Sequence, residues 1–183
     1  IWHDEFSFWS QAIKVNPDYM APWANLGTAF VHKNNCPKAL AYFEKALPLK
    51  ETNDNGISKA GLYLNKALCH HLAGQREKAK TWYLKSNEVS MSPKASFNLG
   101  MLYLDEAKIN SNNANQLHQK ANAVFKDAYK LDSTNVKYGY HLAKTYDLLG
   151  EAIEAKQYYN ITLSLSGNDE WIKLAKEALE NME

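Results

Sequence analysis

Apolar and small residues recur along the chain at i, i+4 and i+7, the spacing that lines one face of a helix. Ala39, Phe43 and Ala46 set the pattern. It returns upstream as Glu5, Trp9 and Ala12, and downstream as Ala79, Tyr83 and Ser86, then Ala121, Phe125 and Ala128, then Ala155, Tyr159 and Thr162. A second series interleaves with the first: Trp23 to Phe30 around Leu26-Gly27, Tyr63 to His70 around Lys66-Ala67, Ser96 to Tyr103 around Leu99-Gly100, and Gly139 to Tyr146 around Leu142-Ala143. Two helix types therefore alternate, A (second series) and B (first series). The small residues Gly27, Ala67, Gly100 and Ala143 let a neighbouring helix approach, Ala39, Ala79, Ala121 and Ala155 offer the matching small surface, and the large aromatics fill the space left. Asn34, Gly74 and Gly150 stand where A helices must stop in the left-handed conformation.

This alternation predicts ten helices in one domain over 1–183. A half-repeat occupies 1–17, repeats occupy about 19–53, 57–91, 93–133 and 134–167, and a capping helix about 168–182 carries Trp171, Leu174, Ala175, Ala178 and Leu179 on one face. Two departures from the period read as surface insertions. One lies near Asn53-Asp54-Asn55-Gly56; the other, near Asn110 to Asn115, lengthens the helix that follows it.

The interleaved series resembles the tetratricopeptide repeat (TPR) family, whose unit is about 34 residues. The resemblance covers almost the whole chain and implies an all-α, right-handed TPR superhelix of antiparallel helix pairs, an α-solenoid. It also implies that the A helices line a concave groove that holds another polypeptide. The sixth family position falls on Asn25, Asn65, Asn98 and His141. Three carboxamides in register, each a donor and an acceptor, match the backbone of an extended peptide. They resemble the asparagine ladder of the O-linked N-acetylglucosamine transferase superhelix. Lys94, Phe97, Lys137, Tyr140 and Lys144 fall on the same face, and the lysines suit an acidic side chain or chain terminus. The clamp that TPR proteins use for chaperone C-termini places a Lys where Ala24 stands, so that ligand class is not expected.

Composition changes this picture little. The 183 residues carry 21 basic and 20 acidic side chains, a net charge of +1, which gives no electrostatic reason to expect nucleic acid as partner. No apolar run approaches the roughly 20 residues that span a bilayer, so no direct membrane insertion is expected. Cys36 and Cys69 occupy packed repeat positions, and with His32, His70 and His71 they lack the paired spacings of a metal site. Neither a metal nor a disulfide is expected, since pairing cannot be judged without geometry. No nucleophile, phosphate-loop or metalloprotease motif is present, so the chain reads as non-catalytic and cofactor-free.

The opening Ile1-Trp2-His3-Asp4-Glu5-Phe6-Ser7-Phe8-Trp9, with Ala12 to Pro17 and Trp23 to Gly27, is similar to the segment after the last membrane span of polytopic TPR proteins related to membrane mannosyltransferases. That resemblance implies a soluble part on the extracytoplasmic side. A chain beginning without Met suits a fragment or processed form. Three functions follow: a scaffold binding an extended peptide, an accessory domain that positions acceptors for a membrane glycosyltransferase, and a self-associating array. The partner's identity and the compartment, cytoplasmic or extracytoplasmic, stay open.

Overall fold

The computed structural model describes residues 5–51, 57–165 and 170–182. The expected loop at Asn53–Gly56, the opening Ile1–Asp4, and the start of the capping helix at Asn168 or Asp169 lie outside them. Ten α-helices are present among the described residues: α1 (Glu5–Val15), α2 (Met20–His32), α3 (Cys36–Ala46), α4 (Lys59–Leu72), α5 (Arg76–Val89), α6 (Pro93–Ile109), α7 (Ala114–Leu131), α8 (Val136–Leu148), α9 (Ala152–Ser164) and α10 (Glu170–Glu180). No strand occurs among them. The chain divides into two compact units, Ile1–Met91 with α1 to α5 and Ser92–Glu183 with α6 to α10.

Within each unit an A helix packs on the B helix that follows it: α2 on α3 and α4 on α5, then α6 on α7 and α8 on α9. In the first and third of these pairs the contact is aromatic on glycine. A Cβ on Gly27 would lie 2.5 Å from Phe43 Cε1, and one on Gly100 would lie 2.6 Å from Phe125 Cε1. Only a hydrogen at these positions lets the rings sit that close. Phe43, Tyr83, Phe125 and Tyr159 are fully buried, as are the small partners Ala39, Ala79, Ala121 and Ala155. Trp9, the upstream member of the series, is only half-buried.

Three A helices end in one way. Asn34, Gly74 and Gly150 have φ of 55°, 71° and 77°. The next amide turns back to the last helical turn, Asn35 N–H to Phe30 O, Gln75 N–H to His70 O and Glu151 N–H to Tyr146 O, each 2.8–2.9 Å. This is the hydrogen-bond pattern of a left-handed helix stop. Each stop lies seven residues after the small residue of its helix. In α6 the corresponding place is Ala107, which is helical and buried. Without a residue suited to positive φ the helix runs on to 17 residues, against 13 for α2 and α8. A single 3₁₀ turn at Ser111–Asn113 then leads into α7, which has 18 residues. The extra residues expected as a surface insertion are thus absorbed into both helices of the pair, not only the second.

A charged residue interrupts the apolar pattern of the A helices. Lys66 occupies the place held by Leu26, Leu99 and Leu142, and is 3% exposed. Its ammonium pairs with Glu44 of α3 and lies 3.8 Å from the centre of the Trp82 ring. A buried charge persists only with such partners.

Helix α10 closes the second unit. Ala175 is buried, and Trp171, Ile172, Leu174, Ala178 and Leu179 are half-buried against α8 and α9. The opposite face carries Lys173–Glu177 and Lys176–Glu180 pairs in water. An apolar inner face and a charged outer face are what the end of a repeat stack needs. The expected all-α architecture of paired helices with a C-terminal cap is the one observed.

Candidate functional site

The residues expected to meet a ligand lie on the A helices of both units. In the first unit, Asn25 and Asn65 are half-buried rather than exposed. Both carboxamides already bond within the unit. Asn25 Nδ2 donates to Ala21 O of its own helix (2.9 Å). Asn65 Nδ2 donates to Thr28 Oγ1 of α2 (2.9 Å), and that hydroxyl donates to Ala24 O (3.0 Å). Each bond uses one of the two N–H groups of its carboxamide. The Asn65 bond also shows that this position reaches sideways to the neighbouring A helix.

In the second unit Asn98 is half-buried and Lys94 exposed on α6. Around them the structure assembles more than the sequence suggests. Phe97 of α6, Phe125 of α7, Tyr140 and His141 of α8, and Trp171 of α10 form an aromatic box. His141 lies 5.1 Å from Phe97, 5.4 Å from Phe125 and 5.0 Å from Trp171, centroid to centroid. Tyr140 lies 5.4 Å from Trp171, and Tyr138 5.2 Å from Phe97. Lys137 caps the box, its ammonium 4.3 Å from the Phe97 ring centre and 5.9 Å from that of Trp171. Lys144 is half-buried on the same helix.

Phe97, Lys137, Tyr140 and His141 are therefore brought together, but not all as open surface. Phe97, Tyr140 and His141 are 5%, 7% and 6% exposed. His141 departs furthest from its expected role as a ladder member. Neither ring nitrogen has a hydrogen-bond partner. Burial, then the charges of Lys137 and Lys144, push its pKa down from 6.5 to about 4. It is a neutral packing ring at neutral pH and is not poised for proton transfer. Tyr138 and Trp171 were not singled out for this face by their family position, and only the folded chain shows them there.

The sign of the acid response follows. Above pH 6.5, the unfolded value, His141 is neutral in both states. As pH falls from 6.5 towards 4, the unfolded chain takes up a proton that the folded chain resists, so the stability present at neutral pH is lost. The loss should approach about 3 kcal/mol, at 1.36 kcal/mol per pKa unit. Urea unfolding at a series of pH values checks it, and His141→Leu should flatten the dependence in that window.

Among the described residues, no group of three or more His, Cys, Asp or Glu is placed to hold a metal ion. None of their helices is long and apolar enough to cross a membrane.

Comparison with known proteins agrees with this architecture. Residues 60–90 match the tetratricopeptide repeat model. No curated protein matches the chain in sequence. Among solved structures, MamA superposes with a TM-score of 0.65 at 15% identity, over 99% of either chain. PilF of Pseudomonas aeruginosa gives 0.71 at 19% identity, over 94% of this chain and 75% of its own. A human IFIT1 dimer solved with PPP-AAAA gives 0.64 at 18% identity, over 98% of this chain but 39% of its own. At these identities the likeness is one of fold, and the fold is the TPR solenoid.

Proposed function

We propose that this TPR solenoid is a protein-interaction scaffold whose A-helix faces hold an extended polypeptide segment. The observation that carries the reading is the half-buried asparagine at one place in three A helices, Asn25, Asn65 and Asn98. The Asn65 carboxamide already bonds across to α2, so the position can serve a polar group lying over the A helices. Backbone C=O and N–H groups of an extended chain suit carboxamides without regard to side-chain identity. Lys94, Lys137 and Lys144 add a preference for acidic segments in the second unit. A net charge of +1 supplies no field that would favour nucleic acid over polypeptide.

The test is a titration of fluorescent extended peptides, neutral and acidic, against the full chain and Asn25→Ala/Asn65→Ala/Asn98→Ala. Each lost hydrogen bond should cost about 0.5–1.5 kcal/mol, so the paired change in the first unit should weaken binding there about fivefold or more, and the single change in the second unit about twofold or more. The loss should be similar for both peptide classes. Lys137→Ala should instead weaken the acidic peptides alone, and less so at high salt. Unchanged affinity in a triple variant with native circular dichroism would remove the asparagines from the site.

A further inference from the structure

Cys36 and Cys69 belong to different helices and different repeats, yet the fold brings their side chains together. Cys69 of α4 is wholly buried in a cluster with Met20, Ala24, Ala39, Phe43 and Leu62. Cys36, the first residue of α3, packs against the same cluster and is half-buried at its edge. Both thiols are free, and Cys36, packed against the cluster that holds Cys69, is the neighbour that acts on its thiol. Burial, and secondarily contact with Cys36, raises the Cys69 thiol well above the usual cysteine range. The pair is thus asymmetric: Cys36 is half-buried, whereas Cys69 is wholly shielded from solvent.

We propose that Cys36 and Cys69 form a redox modification site, a dithiol that a low-molecular-weight disulfide of the glutathione class closes into an intrachain bridge between α3 and α4. Cys36 gives its proton to water and attacks one sulfur of the reagent. A Cys36–glutathione bond forms, the reagent's S–S bond breaks, and one glutathione thiolate leaves. Cys69 then gives up its proton and attacks the Cys36 sulfur, expelling the second glutathione. Two protein thiols are oxidised and one disulfide is reduced to two thiols. The second step is the slower one, because burial holds the Cys69 proton and the thiolate is the nucleophile. The bridge would fix the B helix of the first repeat to the A helix that carries Asn65.

The experiment incubates the full chain with oxidised glutathione and follows intact mass under non-reducing conditions, with thiol titration in denaturant. The expected course is a transient single glutathione adduct, then a monomer lighter by two hydrogens with both thiols lost, restored by dithiothreitol. Proteolysis should give one cross-linked fragment containing Cys36 and Cys69. In Cys69→Ser the adduct on Cys36 should persist. A stable adduct on Cys36 in the wild-type chain with Cys69 still titratable would overturn the proposal. So would a dimer joined through Cys36. The wild-type mass measurement decides the matter even if the Cys69 variant folds poorly.

Discussion

Phe125→Ala should lower the unfolding free energy by about 3–5 kcal/mol, the range for truncating a buried aromatic. The ring is fully buried and fills the space above Gly100, where a Cβ would lie only 2.6 Å from its edge. It also touches Phe97 and His141, at 5.4 Å each between ring centres. Alanine would leave a hole that the helix backbones cannot close without moving α6 towards α7. Phe43→Ala should behave alike in the first unit, where Phe43 covers Gly27 and packs with Met20, Ala24 and Leu62. Urea unfolding followed by circular dichroism measures both. Near-wild-type stability in both variants would mean that the aromatics are not the wedges between A and B helices.

Deleting α10 should cost about 3–5 kcal/mol, because it removes the half-buried Trp171 together with buried Ala175 and the apolar face around them, and should leave a chain prone to aggregate. Trp171 covers Tyr140 and His141, and the apolar face of α10 lies on α8 and α9. The same deletion has a second consequence, which separates a cap from a mere appendage. With Trp171 gone, water reaches the His141 ring and its pKa should return towards 6.5. The loss of stability between pH 6.5 and 4 should then shrink. A truncated chain as stable as the full one, with an unchanged acid response, would show that α10 covers nothing.

The sequence was most informative where one residue type serves one geometric need. A ring at 43, 83, 125 and 159 facing a small residue marked the helix pairs, and Asn34, Gly74 and Gly150 marked three helix ends, because few residues tolerate positive φ. The effect of Ala107 shows only in the fold: the residue is helical and buried, and α6 runs on past it. Features that depend on distant neighbours were not legible. A lysine at position 66 is buried because Glu44 and Trp82, from the helices on either side, converge on it. His141 occupies a ladder position, but its burial depends on Trp171, thirty residues onward and on another helix. A ladder position implies a carboxamide open to a ligand, yet Asn25, Asn65 and Asn98 are half-buried. The bond of Asn25 to its own helix and that of Asn65 to Thr28 on α2 have no counterpart in a periodicity argument.

The binding face itself is tested most directly by the side-chain amide resonances of the chain during titration with an extended acidic peptide, recorded by nitrogen-correlated NMR. The carboxamides of Asn25 and Asn65 in the first unit, and that of Asn98 in the second, should each shift and saturate with the binding curve of its own unit. Those of Asn87, Asn122 and Asn160, on the B helices α5, α7 and α9, should stay still. Binding that moves the second set and leaves the first unmoved would place the ligand on the B helices and contradict the account.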